Sequence, residues 1–195
     1  MNRMTVSSTR WCRRTSGLAA LVALCVALVF ASSAAADIEV KRASLAVAED
    51  GYVLEADFSI QLTPPLEDVL SKGVSLYFLL EFELIRPRWY WFNDKIAETQ
   101  HQYRLSYNAL TRQYRVGTGS LYQNFATLAD ALEVLSRVRR HNEIEPGLLK
   151  KDTSYVAAVR LRLDTSQLPK PFHLSALGSR DWNIASEWYR WTVTP

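Results

Sequence analysis

Residues 74–85 read VSLYFLLEFELI, and this segment decides the fold class of the chain. Large apolar side chains occupy every second position, at Phe78, Leu80, Phe82 and Leu84. Glu81 and Glu83 lie between them. A repeat of two residues is the period of a β-strand, whose neighbouring side chains point to opposite faces. The segment therefore predicts a long strand of an antiparallel sheet, with one face on a core and the other toward solvent.

The chain before this strand alternates in the same way. Residues 38–47 and 52–62 are separated by Asp50-Gly51, a dipeptide typical of a β-hairpin turn. Pro64-Pro65 ends the second of these strands. Leu66–Lys72 then predicts a short helix, with Gly73 as its C-terminal stop.

The chain after this strand contains more strands and one clear helix. Strands are predicted at residues 100–107, 113–116, 120–123, 155–163 and 188–193. Residues 127–139 predict an amphipathic helix, which Thr127 caps and whose last turn is rich in arginine. Together these segments predict a mainly β fold, a single β-sandwich-like domain with one amphipathic helix. A partly open β-barrel is the alternative.

Residues 1–36 have the pattern of a secretory signal peptide. Arginines precede an apolar segment at residues 18–30, and Ala34-Ala35-Ala36 supplies small residues at the −3 and −1 positions. We expect cleavage after Ala36, so that the mature chain begins at Asp37. An uncleaved membrane anchor is the alternative, because residues 17–36 carry no charge.

Charge and cysteine content differ between this segment and the rest of the chain. The chain has 23 Lys and Arg against 20 Asp and Glu, and four of the arginines but none of the acids lie in residues 1–36. The remaining 159 residues, which we expect to form one β-rich domain, therefore have a net charge near −1. This excludes a nucleic-acid binder driven by net basic charge. Cys12 and Cys25 lie in the removed segment, so the mature chain has no disulfide or thiolate site.

No sequence motif identifies an active site. His101, His141 and His173 lie in three different segments, without the spacing of a metal site. Residues 117–120 read GTGS, but no helix follows them directly, so a turn between strands explains them better than a phosphate-binding loop. The sequence therefore predicts no catalytic residue, no metal ligand and no cofactor.

The stretch from Arg86 to Lys95 concentrates aromatic and basic side chains. We interpret it as a candidate interaction surface formed by Arg86, Arg88, Trp89, Tyr90, Trp91 and Lys95. Arginine together with large aromatic residues is the composition of interaction hot spots.

Two orientations of the indoles are open. In one unbroken strand over residues 74–92, Trp89 and Trp91 are exposed on the face of Glu81. A bulge at Pro87 instead turns both indoles toward the core, and the core orientation is favoured.

Six segments together resemble the proteobacterial family called domain of unknown function 4390. They are RWYWFNDK (88–95), YRLSY (103–107), LTRQYRV (110–116), FATLADAL (125–132), LDTSQLP (163–169) and WNIASEWYRW (182–191). The resemblance covers essentially all of the mature chain. It implies an exported cell-envelope protein of a Gram-negative bacterium. It carries no known activity, so it gives no residue a catalytic role. It also implies a genetic association with a membrane sensor kinase.

We therefore expect a periplasmic or exported protein that acts as a non-enzymatic binding or interaction module. The expected partner is an unidentified protein or envelope component, and contact with the membrane is expected only through an uncleaved signal segment. The alternatives are an envelope-modifying hydrolase and a periplasmic accessory module of a membrane sensor. The hydrolase would be favoured if His101 or His173 lay within hydrogen-bond reach of a carboxylate in a deep cleft.

Overall fold

The computed structural model describes residues 37–49, 51–88, 94–141, 144–145, 147–172 and 179–195. The strands of this part of the chain are β1 (Ile38–Ala48), β2 (Gly51–Ile60), β3 (Leu76–Arg86), β4 (Asp94–Asn108), β5 (Gln113–Thr118), β6 (Leu121–Phe125), β7 (Arg137–His141), β8 (Tyr155–Leu163) and β9 (Tyr189–Val193). Its two α-helices are α1 (Pro64–Ser71) and α2 (Leu128–Ser136). Short 3₁₀ turns lie at Thr165–Gln167 and Arg180–Trp182.

The strands form two separate antiparallel sheets. The smaller sheet has the order β1-β2-β7, and the larger sheet has the order β6-β5-β4-β3-β8-β9. The mainly β fold is thus confirmed, and within the described residues the strands form two sheets and no closed barrel. Buried side chains of both sheets join one core, and β1 of the small sheet packs against β8 and β9 of the large one.

The strand that the alternation of residues 74–85 predicts lies in the middle of the large sheet. It is β3, and it pairs with β4 on one side and β8 on the other. The four alternating apolar side chains are fully buried. Each stabilises the fold by about 1.5–3 kcal/mol relative to full exposure. The opposite face of β3, which carries Glu81, is the outer face of the sheet.

The first hairpin forms as Asp50-Gly51 predicts. Ala48 of β1 lies opposite Gly51 of β2, whose φ of 135° is a value that L side chains rarely adopt. The short helix α1 begins at Pro64, two residues before its predicted start, because Thr63 accepts a hydrogen bond from the amide of Leu66 and proline suits the first helical position.

The helix predicted at residues 127–139 is correct at its start and wrong at its end. Thr127 caps α2 by accepting a hydrogen bond from the amide of Asp130 at 3.1 Å, but the helix stops at Ser136. Arg137–His141 instead forms β7, which pairs with β2. This segment forms a strand and not a last helical turn, because the edge of β2 offers it backbone hydrogen-bond partners at this point. Val138 is buried opposite Ala56, while Arg137 and Arg139 stay exposed.

No helix among the described residues is both long enough and apolar enough to cross a membrane.

Candidate functional site

The predicted surface Arg86–Lys95 includes the connection between two central strands of the large sheet. β3 ends at Arg86 and β4 begins at Asp94, directly opposite it, so residues 87–93 join the two strands. The unbroken strand over residues 74–92 is therefore wrong. The expected extra residue lies in β4 at Ile96, between the pairs Leu84–Ala97 and Ile85–Lys95, and not at Pro87.

Trp89, Tyr90 and Trp91 lie outside the described residues. Whether the two indoles are buried or exposed therefore stays a prediction.

Carboxylates neutralise the basic side chains of this surface. Arg86 and Arg88 both donate to Oδ2 of Asp94, the second at 2.8 Å. The hydrogen bond from Arg86 is the largest cause that lowers the pKa of Asp94 below its ordinary value. Lys95 donates to Glu98 at 3.0 Å and to Glu83 at 3.1 Å, and these hydrogen bonds raise the pKa of Lys95.

A cavity of about 600 Å³ opens farther along β4, and we call it the β4 notch. It lies beside Gln100–Arg104 of β4, next to the turn that joins β5 to β6. Its lining consists of Tyr77, Gln100, His101, Gln102, Arg104, Gly117, Thr118, Gly119, Ser120, Leu121, Tyr122 and Arg140. These described lining residues include two arginines and no carboxylate. The notch is therefore suited to an anionic group.

Beside the notch, on the outer face of the large sheet, a row of four residues crosses four strands. Tyr77 of β3, Arg104 of β4, Gly117 of β5 and Tyr122 of β6 lie opposite one another in register. The guanidinium carbon of Arg104 lies 5.7 Å from the ring centroid of Tyr77. Arg104 also donates from Nε and Nη2 to Oγ of Ser75, at 3.0 and 2.9 Å. Within the described part of the chain, Arg104 is thus held by neutral groups, and no carboxylate pairs with its charge.

Gly117 makes room for the aromatic end of this row. A Cβ atom at this position would stand 2.6 Å from Cε1 of Tyr122, far inside van der Waals contact. Only glycine therefore lets the phenol ring lie across the strand. Arg115, two residues before Gly117 and on the same face of β5, supports the same ring, with its guanidinium carbon 5.7 Å from the ring centroid, and it donates to Oδ1 of Asn124 at 3.0 Å.

The notch also brings together the facing edges of the two sheets. Arg140 of β7 donates from Nη2 to Nδ1 of His101 of β4, at 2.9 Å. A guanidinium only donates hydrogen bonds, so Nδ1 of His101 acts as the acceptor in this contact. One partner of His101 is thus the guanidinium of Arg140. His141 is exposed on β7, and His173 lies outside the described residues. Among the described residues, no three His, Cys, Asp or Glu side chains are grouped as metal ligands.

The sequence of residues 117–120 predicts a turn between strands, and no sequence motif marks Arg104. The turn is confirmed at Gly119, with φ of 60°, between β5 and β6. The short turns of the β4–β5 and β5–β6 hairpins indicate which residues of β4, β5 and β6 lie opposite one another. The alignment of Arg104, Gly117 and Tyr122 could therefore be predicted from the sequence. The contact of Arg104 with Tyr77 was not predictable in this way, because the β3–β4 register depends on the bulge at Ile96.

The comparison with known families agrees with the resemblance seen in the sequence. The model of the family described as Domain of unknown function (DUF4390) matches residues 35–192. No curated protein and no solved structure matches the chain. Since the family match spans most of the chain, including every strand from β1 to β8 and the row Tyr77–Arg104–Gly117–Tyr122, the protein belongs to the DUF4390 family.

Proposed function

We propose that this protein is an exported, periplasmic binding module without enzymatic activity, and that the β4 notch binds a carboxylate or phosphate group of its partner. The observation that carries the proposal is the environment of Arg104. It lies in an open cavity beside the ring of Tyr77, and its hydrogen-bond partner among the described residues is the neutral hydroxyl group of Ser75. The predicted signal peptide supports export of the module to the cell envelope.

Arginine is well suited to this role because its planar guanidinium donates two parallel hydrogen bonds to a carboxylate or a phosphate. Two of the nitrogen atoms of Arg104 are engaged with one hydroxyl group, whereas a guanidinium has five N–H donors. Gln100, Gln102 and Ser120 add neutral donors and acceptors around the cavity. The notch therefore offers one charged anchor and several groups that orient a polar ligand.

The test is a titration of the exported protein, followed through the Nε–H NMR signal of Arg104. The probes are citrate, inorganic phosphate, glucuronate and triglutamate, with maltotriose as the neutral comparison. We expect at least one anion to shift the signal saturably and maltotriose to leave it unchanged. Arg104→Gln lacks this signal, so isothermal titration calorimetry measures the affinity of each variant. Arg104→Gln should weaken binding about tenfold to a hundredfold, the value of one charge-assisted hydrogen bond.

Arg42→Gln is the matched control, because Arg42 is an exposed arginine of β1 whose charge is paired with Asp57 at 2.7 Å. It should bind the anion as the unmodified protein does. The proposal is wrong if no anion shifts the Arg104 signal, or if Arg42→Gln and Arg104→Gln weaken binding equally.

The surface at Arg86, Arg88, Trp89, Tyr90, Trp91 and Lys95 stays a separate prediction for contact with a protein partner. Arg88→Ala combined with Tyr90→Ala should leave the melting temperature nearly unchanged and weaken capture of that partner from envelope extract. If instead the double variant is strongly destabilised and its capture per folded molecule is unchanged, the surface is a core cluster, because truncation of a buried aromatic residue costs about 3–5 kcal/mol.

A further inference from the structure

One outer strand of the large sheet has no charged side chain. β6 reads LYQNF over residues 121–125, and within the described part of the chain it pairs only with β5. Its first four residues are exposed, with Leu121 at 76% and Tyr122 at 51% of full exposure. A strand at the edge of a sheet presents unpaired N–H and C=O groups on its outer side and can pair with another strand.

The other outer strands carry charges that oppose such pairing with a second copy. β7 contains three arginines among five residues, β1 contains Glu39, Lys41 and Arg42, and β9 contains Arg190. Charged side chains on edge strands are a common protection against association, and like charges directly opposite each other are destabilising. β6 is the outer strand of the described structure that has no such protection.

We infer that two copies of this chain associate through β6, as antiparallel strands related by a two-fold axis, so that their large sheets become continuous. Residues directly opposite each other in a sheet point to the same face. Odd-numbered residues of one copy therefore pair with odd-numbered residues of the other, and even-numbered with even-numbered. Only the register centred on Gln123 pairs all five residues of the strand. It places Leu121 of one copy opposite Phe125 of the other, and Tyr122 opposite Asn124.

This register is compatible with each pair of side chains, and its apolar contact comes from Leu121 and Phe125. Phe125 already packs against the core on the inner face of the sheet, so the exposed Leu121 of the second copy gains an apolar neighbour. Tyr122 and Asn124 lie opposite each other on the outer face, where both side chains already contact Arg115 of β5, and the two Gln123 side chains meet each other at the axis. No pair brings like charges together. Because only five residues pair, the area buried is small and we expect a weak, reversible dimer.

The first experiment is sedimentation equilibrium of the exported protein from about 1 to 500 μM. We expect a monomer–dimer equilibrium, and Gln123→Lys should raise its Kd at least tenfold because it places two ammonium groups at the axis. Gln113→Lys, the same change at an exposed position of β5, should leave the Kd unchanged. A monomer at all concentrations overturns the inference, and so does an equal Kd for the unmodified and the Gln123→Lys proteins.

The second experiment tests the register by disulfide cross-linking. Only residue 123 faces its own counterpart, so Gln123→Cys should form a covalent dimer on mild oxidation and Asn124→Cys should not. Thermal melting of both variants verifies that they are folded. Cross-linking of both variants to the same extent would overturn the register. The anion titration of Arg104 is independent of both experiments, so the two proposals succeed or fail separately.

Discussion

Glu81 is a carboxylate in the middle of the large sheet that has only 7% of its full exposure. It lies on the outer face of β3, yet Arg160 and Arg162 of β8 cover it. Arg160 donates from Nε at 2.7 Å and Arg162 donates from Nε at 3.1 Å. Trp188 in turn lies over Arg160, with its ring centroid 4.6 Å from the guanidinium carbon. The buried charge is therefore tolerated because two cations and an aromatic ring surround it.

Removal of this carboxylate should destabilise the fold. Glu81→Gln leaves two arginines without their counter-charge, and we expect it to lower the free energy of unfolding by about 3 kcal/mol. Glu83→Gln is the matched control on the same face of the same strand, where the carboxylate is more exposed and pairs with Lys95. Its cost should stay below about 1 kcal/mol. Urea denaturation measures both values, and equal losses would show that burial of Glu81 does not matter.

Asp94 should make stability depend on pH in the acid range. Its pKa is lowered in the folded protein, first by the hydrogen bond from Arg86, so the folded state holds the ionised form more strongly than the unfolded state. The resulting stabilisation is complete above the ordinary pKa of 3.8 and is lost as the pH falls through the lower folded pKa. Between pH 5 and 2, Asp94→Asn should therefore lose stability less steeply than the unmodified protein.

Urea denaturation at a series of pH values measures this difference. Asp152→Asn serves as the control, because Asp152 is exposed and makes no ion pair with the described residues. Its φ of 58° also suits asparagine as well as aspartate. The control should follow the profile of the unmodified protein. A profile of Asp94→Asn that coincides with the unmodified protein would show that the two arginines add no net stabilisation.

The boundary between α2 and β7 shows how a neighbouring element changes the structure of a segment. Residues 127–139 have a helical apolar pattern, and Arg137–Arg140 matches the preference of a helix C-terminus for cations. The open edge of β2 offers Arg137–His141 a full set of strand partners, and Arg139 pairs with Glu55 at 3.2 Å. Backbone hydrogen bonds and the burial of Val138 outweigh the small difference in helix propensity.

Two valine substitutions test this boundary. Val138→Ala should lower the free energy of unfolding by about 2 kcal/mol, because Val138 has 5% of its full exposure between the sheets. Val134→Ala, the same change at a position of α2 with 42% exposure, should change it by less than about 0.7 kcal/mol. Urea denaturation gives both values. Equal losses at the two positions would contradict the burial of β7.

At the scale of the whole molecule, the start of β1 fits the predicted cleavage site. From Ala36 onward the chain forms one compact unit. The backbone oxygen of Asp37 accepts a hydrogen bond from the amide of Gln61 at 3.1 Å, and Ile38 is already buried. Cleavage after Ala36 would therefore leave β1 and its pairing with β2 intact.

N-terminal sequencing of the exported protein should begin at Asp37. Leucine in place of Ala36 should block cleavage at this bond, because the −1 position requires a small residue, whereas leucine in place of Ala35 should leave it unchanged. An intact species beginning at Met1 in the inner membrane would contradict the prediction and identify the segment as an anchor.

The sequence by itself determined the elements whose signal is local. Alternation over residues 74–85 predicted β3 and its buried face, Asp50-Gly51 predicted the first hairpin, and Thr127 predicted the start of α2. These features depend on side-chain period, on a backbone conformation that favours glycine and on one capping hydrogen bond, all within a few residues of the chain. The segments that resemble the family were also readable directly.

Only the tertiary structure decided which strands lie side by side. Alternation tells which face of a strand is buried, but it does not name the neighbour or the register. Two features therefore appear only once the sheets are assembled. Arginines of β8 cover Glu81, and Arg137–His141 forms the strand β7. The contact of Arg104 with Tyr77 appears at the same stage, because the bulge at Ile96 sets the register of β3 against β4. The notch itself forms where β4 extends past the end of β5, so a binding site there could not be predicted from the sequence.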